Sequence, residues 1–288
     1  MHWEEAKKFL ILVLIILNAG LLVLNIFQSN KYKIDKEREN YLYQILDNNN
    51  ISLECDIIRK YKPMRRLTIY PEFYSRDEII RMFFKEADIT ITFEFDKTIL
   101  KGKNKTVTIS NNNEIVVDYI NKSDIINNFN EETAKRQAES FIFSMNNKFV
   151  YQLNKSIKIN DGYFFQYCQE YDSNVVFPIS YNIYVNEYGI LKVETIFYGI
   201  DGFTGEDKEI CGIDEALFTF IKEKNEKRKF DEIIIEDIKL GYNFQSIENS
   251  PSENIRLVPC YNIYVKDENE PYIINAYTNE IIKNKAHV

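Results

Sequence analysis

Hydrophobic and polar positions divide the chain into one long apolar run and a longer stretch of short patterned segments. From Phe9 to Phe27 the residues read FLILVLIILNAGLLVLNIF, nineteen positions without a charge. As a helix rising about 1.5 Å per residue this run is roughly 28 Å long, close to the ~30 Å hydrocarbon core of a bilayer. A cleaved signal peptide would have a shorter apolar region and a small-x-small cleavage site. Here Gln28-Ser29-Asn30-Lys31-Tyr32 follow, so the run reads as an uncleaved anchor.

Beyond a polar linker the pattern alternates between helical and strand periods. Glu37 to Asp47 predicts a helix with Leu42, Ile45 and Leu46 on one side, ended by Asn48-Asn49-Asn50. Arg66 to Phe73 reads as a strand. Ser75-Arg76-Asp77-Glu78 is a capping-box pattern that opens a short helix through Ile79, Ile80, Met82 and Phe83. Ala87 to Asp96 alternates apolar with polar and predicts a half-buried antiparallel strand. Lys105–Ser110 and Glu114–Ile120 pair across an Asn111-Asn112-Asn113 turn.

Asn130 is the expected N-cap of a helix that places Ala134, Ala138, Phe141, Met145 and Phe149 on one face. Strands follow at Ser156–Asn160, Tyr163–Tyr171, Ile179–Val185 and Ile190–Tyr198. A helix over about Ile213 to Lys227 starts acidic and ends basic, as the macrodipole prefers. The final strands fall near Glu232–Phe244, Ile255–Val265 and Tyr272–Ile282.

This half repeats itself. Tyr181-Asn182-Ile183-Tyr184-Val185 recurs as Tyr261-Asn262-Ile263-Tyr264-Val265, each copy after a proline (Pro178, Pro259) and an amphipathic helix. Each is followed by an aromatic-Thr-Gly/Asn-Glu turn, Phe203–Glu206 and Tyr277–Glu280. Gly205 and Asn279 are the two residue types that best accept a left-handed backbone. The fold class is therefore α+β: an N-terminal transmembrane helix followed by tandem helix-on-antiparallel-sheet units. The expected layout is tail 1–8, anchor 9–27, linker 28–36, a first α+β domain 37–125 and a second 126–288. The second holds the duplication, over about 130–206 and 212–284.

Charge narrows the function. Residues 1–29 net zero, so the whole −8 belongs to the rest of the chain. Nucleic-acid binding needs clustered positive charge and is not expected. Lys7 and Lys8 precede the span and Lys31, Lys33, Lys36 and Arg38 follow it, so positive charge does not decide orientation. A short tail before a first span usually stays cytoplasmic, which sends the main domain outside the cell.

Within the span Asn18 and Asn25 are seven residues apart and share a helix face, with the small residue Gly20 nearby. An amide in lipid lacks water and seeks another helix, although an isolated Asn is also tolerated in an anchor. Asn18, Gly20 and Asn25 are the candidate partner-binding residues, and Trp3 the interfacial anchor.

No enzyme is expected, and no cofactor or metal. The only histidines, His2 and His287, sit at the two ends, and no nucleophile-elbow, phosphate-loop or zinc pattern occurs. Glu94 with Asp96, and Asp201 with Glu206, are nominal acid pairs, but carboxylates so placed are usually just solvated. Cys55, Cys168, Cys211 and Cys260 form no C-x-x-C pair and read as small semi-buried residues, with a Cys168–Cys211 or Cys211–Cys260 bridge left open. A competing reading is an extracytoplasmic ligand- or wall-binding module, with Tyr163 and Tyr171 on one strand face lining a groove or simply packing in the sheet.

Two segments resemble a known family. Trp3, Lys7, Phe9 and an Ile/Leu-rich span with Asn18, then Pro259-x-Tyr261-x-Ile263 and Tyr272-x-Ile274-Asn275-Ala276-Tyr277-Thr278-x-Glu280-Ile281, look like YycI. YycI is a two-component-system regulatory protein related to YycH. The resemblance covers Met1–Phe27 and Pro259–Ile281, and Asn279 stands where the family often has Gly. It implies a membrane-anchored accessory protein that associates with a YycH-like protein and a sensor histidine kinase of the WalK (YycG) type. Contact is partly through transmembrane helices, and the signalling controls cell-wall metabolism.

Overall fold

The computed structural model describes residues 3–84, 88–111, 113–120, 125–145, 149–226, 232–245 and 254–282, with backbone alone for 26–30. Both histidines lie outside these residues. In chain order the elements are α1 (Trp3–Lys31), α2 (Lys36–Asn48), β1 (Ile51–Leu53), β2 (Met64–Pro71), α3 (Arg76–Phe83), β3 (Thr90–Phe93), β4 (Lys97–Lys101), β5 (Lys105–Ser110) and β6 (Glu114–Tyr119). Next come α4 (Glu131–Met145), β7 (Tyr151–Ile159), β8 (Gly162–Tyr171), β9 (Asn174–Asn186), β10 (Gly189–Ile196) and β11 (Tyr198–Lys208). The chain continues with α5 (Ile213–Glu226), β12 (Ile233–Phe244), β13 (Ile255–Val265), β14 (Tyr272–Asn275) and β15 (Glu280–Ile282). The architecture is α+β, with an N-terminal apolar helix.

Local chemistry sets the helix starts. Ser75 accepts from the Glu78 amide while the Glu78 carboxylate accepts from the Ser75 amide, a complete capping box. Asn130 Oδ1 accepts from the Thr133 amide at 3.0 Å and caps α4. The α4 helix ends at Met145, so Phe149 does not extend its apolar face and is half exposed.

The chain divides into two compact units. The first comprises Met1–Met64, Asp207–Lys239 and Tyr261–Ile281. Here β1 runs parallel to β12 with Ile51 opposite Ile233, and β14 pairs with β13 and β15. Leu42 and Leu46 of α2, and Ile213, Ala216, Leu217 and Phe220 of α5, are fully buried together with Ile263 and Ile274. The Phe220 ring meets Tyr272 edge-on at 5.0 Å, which seats α5 on the β14 strand. The expected last strand is two strands, β14 and β15, separated by a turn in which Asn279 has φ 55°.

The second unit comprises Arg65–Glu206, Leu240–Cys260 and Ile282–Val288. Its strands β7-β8-β9-β10-β6-β5-β4-β3 form one continuous antiparallel ladder. Because β6 pairs with β10 through Val117↔Val193, residues on both sides of position 125 share that ladder. The core gathers Leu100, Val107, Val117, Phe165, Ile183 and Val193 under α3 and α4. Ala134 and Ala138, both fully buried, let α4 lie close on β8, β9 and β10. Each large apolar side chain so buried contributes about 1.5–3 kcal/mol.

Three strand expectations change. The alternating run Ala87 to Asp96 yields only the four-residue strand β3, at the end of the ladder, and Phe93 and Phe95 of that run are exposed. Burial of one face needs a layer over it, and the end strand has a partner on one side only. Lys97–Lys101 and Tyr198–Lys208 are strands that the pattern did not announce. Within β9, the ladder to β8 jumps from Ser180 to Val176, which leaves Pro178 in an irregularity where its missing N–H costs nothing.

Candidate functional site: the anchor helix and its junction

The window Trp3–Asn25 of α1 is long and apolar enough to cross a membrane, and none of it is buried against the rest of the unit. At about 100° per residue, Asn18 and Asn25 fall within ~20° of each other, two turns apart. Gly20 lies about 200° round from Asn18, so it faces away from the amide pair instead of joining it. No atom lies within 4 Å of a Cβ built on Gly20, so nothing in the unit requires its smallness. Asn18 Nδ2 donates to the Leu14 carbonyl at 2.8 Å, one turn back. That bond satisfies one of the two amide protons. Trp3 is exposed at the start of the helix.

The exit from α1 is built as a clasp. Only Tyr32–Asp35 separates α1 from α2, and this stretch is bonded on both sides. The Ile34 amide donates to the Arg59 carbonyl at 3.0 Å, and the Tyr61 amide donates to the Tyr32 carbonyl at 3.1 Å. The Tyr32 and Tyr61 rings meet edge-on at 5.9 Å, and Ile34 is buried. Lys31, at the end of α1, pairs with Glu209, which also accepts from the Tyr32 hydroxyl at 3.3 Å. Asp35 caps α2 by accepting from the Arg38 amide at 2.8 Å. The linker expected over 28–36 is thereby pinned to its own unit.

Charge extends the clasp along α2. Arg59 presents its fork to Glu39, with Nε at 3.1 Å and Nη2 at 2.7 Å from the carboxylate oxygens. The guanidinium holds the Glu39 carboxyl below the usual carboxylate range, and Lys31 does the same for Glu209. Arg38 reaches Asp214 in the first turn of α5 through Nε at 3.0 Å and Nη2 at 2.5 Å. Asp214 is 6% exposed at its side chain, and its Oδ1 has no hydrogen-bond partner among the described residues. Gly212 makes room for that oxygen, because a Cβ there would stand 2.5 Å from it.

The remaining sequence candidates are dispersed. Glu94 pairs with Lys97 at 3.1 Å on the β3–β4 turn, and Asp96, Asp201 and Glu206 are exposed. Tyr163 packs against Phe129 and the core residue Phe165, whereas Tyr171 packs against Phe203, so the two tyrosines serve separate aromatic contacts. None of the four cysteines is in a disulfide, so neither bridge left open by the sequence is formed. Burial pushes the Cys55 thiol up to about 11 and the Cys211 thiol up to about 12. Among the described residues no group of three or more His, Cys, Asp or Glu side chains converges as a metal site would require. The clasp was missed at the sequence level because its partners are far apart in the chain: Arg38 and Asp214 are separated by 176 positions.

No family model matches the chain, and no curated protein matches it. Among solved structures, an uncharacterized protein from Eubacterium rectale ATCC 33656 superposes with a TM-score of 0.51 at 14% identity, over 82% of this chain and 90% of that one. The C-terminal domain of Bacillus megaterium YpeB superposes with a TM-score of 0.39 at 13% identity, over 73% of this chain and 96% of that one. At such identity the first likeness is one of fold alone.

Proposed function

We propose that the chain is a non-catalytic, membrane-anchored regulator that acts on a membrane partner through its α1 helix and the unit joined to it. The N-terminus is cytoplasmic and the two units lie outside the cell. The observation that carries this reading is the clasp, since an anchor that only tethers a domain needs no bonded, ion-paired exit. A helix held to its domain at Lys31, Ile34 and Arg38 passes a tilt or rotation in the bilayer into the domain, and the reverse. The Asn18/Asn25 face supplies the lateral contact, at about 0.5–2 kcal/mol per amide.

The partner is inferred from the resemblance to YycI carried by Met1–Phe27 and Pro259–Ile281: a sensor histidine kinase of the WalK type, together with a YycH-like protein. Regulation is then a bias of about 1–3 kcal/mol between two arrangements of the kinase's membrane helices. The test is co-purification from membranes after mild solubilisation. Asn18→Leu with Asn25→Leu should reduce kinase recovery severalfold while the chain itself stays in the membrane fraction. Undiminished recovery would remove the amide face from the account.

A further inference from the structure

The face of the second unit's ladder turned away from α3 and α4 carries an organised platform of side chains. Successive side chains alternate across a strand, so Phe165, Ile183 and Val193 are fully buried beneath the helices and their neighbours point to the opposite face. On that face the register sets two rows across β8, β9 and β10. Phe164, Tyr184 and Lys192 stand opposite one another in the first row, and Gln166, Asn182 and Glu194 in the second. All six are half-buried, so solvent reaches them. Three strands about 4.8 Å apart, with rows two residues apart, give a platform of roughly 10 by 7 Å.

The groups on the platform hold one another in place. The Phe164 and Tyr184 rings lie side by side with centroids 5.0 Å apart. The Tyr184 hydroxyl donates to Glu194 Oε2 at 3.2 Å, and Lys192 Nζ pairs with Glu194 Oε1 at 2.5 Å. Asn154 Nδ2 donates to Gln166 Oε1 at 2.6 Å and Gln166 Nε2 to Asn182 Oδ1 at 3.1 Å, so the amides are fixed in orientation. Farther along the same face the two rows run on to Thr106 and Thr108 of β5 and to Thr90 and Thr92 of β3, an ordinary solvated strand surface. The sequence repeat supplies a second contrast. Asn262 and Tyr264, the counterparts of Asn182 and Tyr184, are 2% and 6% exposed in the first unit, so the same residue pair is closed over there and open here.

Rings beside fixed amides and a self-neutralised charge pair select a ligand with an apolar face and a hydroxyl-rich edge. The C–H face of a pyranose ring lies flat on aromatic rings, while its hydroxyls exchange hydrogen bonds with planar amides and carboxylates. Lys192 and Glu194 offset each other's charge, so the pair selects neither an anion nor a cation. A wholly apolar ligand would strip water from Gln166 and Asn182 without replacing its hydrogen bonds. We propose that this platform binds a neutral pyranose oligosaccharide, one ring against Phe164 and Tyr184 and its hydroxyls at Gln166, Asn182 and Glu194. The site lies wholly within the second unit and does not rest on the reading of the anchor helix.

Cellotetraose and chitotetraose are the probes, titrated calorimetrically into the full chain in lipid nanodiscs, with empty nanodiscs as the blank and the open-chain polyol sorbitol as the control. At least one tetrasaccharide should bind saturably, and sorbitol should not. Tyr184→Leu, which keeps an apolar side chain but removes the ring, should weaken that binding by about tenfold or more with an unchanged circular dichroism spectrum. Phe164→Leu removes the other ring, should act in the same direction, and serves where Tyr184→Leu alters the spectrum. Thr92→Ala, on the same face but on β3, should leave the binding as it is. No saturable heat from either tetrasaccharide, equal heat from sorbitol, or binding indifferent to both ring substitutions would overturn the proposal. So would a concentration-dependent dimer that Tyr184→Leu dissolves in place of saccharide binding, since the face would then belong to a second copy of the chain.

Discussion

The pentapeptide Tyr-Asn-Ile-Tyr-Val occurs once in each unit, and its asparagine meets two different fates. In the second unit Asn182 belongs to a ladder of side-chain amides across three strands. Asn154 Nδ2 donates to Gln166 Oε1 at 2.6 Å, and Gln166 Nε2 donates to Asn182 Oδ1 at 3.1 Å. In the first unit Asn262 is 2% exposed, and its Oδ1 has no partner among the described residues. The tyrosines diverge as well. Tyr181 is set among rings, 5.1 Å from Tyr151 and 6.0 Å from Phe141, whereas the Tyr261 hydroxyl donates to the Cys211 carbonyl at 2.8 Å. The repeated segment thus fixes a buried strand in both places, while its neighbours decide which polar groups are satisfied. In the second unit side-chain amides bond one another within the sheet, and in the first unit ion pairs fasten α1 and α2.

Five substitutions sharpen that contrast. The largest effect is expected of Gly162→Ala, where the new Cβ would stand 2.0 Å from the Val185 carbonyl oxygen, a backbone atom of the copy in the second unit. It should cost about 3 kcal/mol, read as a lower midpoint in chemical denaturation. Asp214→Asn removes the charge that Arg38 grips in the first unit and should cost about 1.5–3 kcal/mol, the range for a hydrogen bond to a charged group. The paired change Asn182→Leu and Asn262→Leu tests the comparison itself. The first should cost about 1–3 kcal/mol by stranding Gln166, and the second should be neutral or stabilising because the oxygen it removes is already unsatisfied. Equal costs would mean that the two amides are equivalent after all. Tyr261→Phe should cost about 1 kcal/mol, through the lost bond to Cys211.

The clasp also has a pH signature. Glu39 and Glu209 are held below their ordinary 4.5 by Arg59 and Lys31. A carboxyl depressed in the folded state stabilises fully above its unfolded value and loses that contribution as pH falls through the folded value. The protection of the Ile34 and Tyr61 amides against hydrogen exchange, corrected for the intrinsic pH dependence of exchange, should therefore be constant down to about pH 5 and fall below it. Glu39→Gln should flatten the acid limb.

Wherever local chemistry alone decides, the sequence was sufficient. Ser75 and Asn130 mark helix starts by side-chain oxygens within reach of their own helix amides. Gly205 and Asn279 do adopt left-handed backbone, at φ 77° and 55°. The two sites sit differently, since Gly205 lies inside β11 and Asn279 in a turn. The β11 strand was hidden because its three glycines read as turn residues. Gly199 is there for another reason, a close approach of the Tyr70 ring that a Cβ would block at 2.2 Å. The clasp was illegible because it depends on partners brought together by tertiary folding, and no periodicity links Arg38 to Asp214. On α1, Asn18 and Asn25 lie along one stripe, and Gly20 lies on the other side of the helix.

The central claim is that α1 and the first unit move as one piece. A short Gly/Ser insertion between Lys31 and Tyr32 tests it directly, with kinase autophosphorylation measured in membranes that contain the chain. The account predicts that the inserted chain still co-purifies with the kinase through its Asn18/Asn25 face but no longer alters the autophosphorylation rate. An inserted chain that alters the rate as fully as the native one would contradict it.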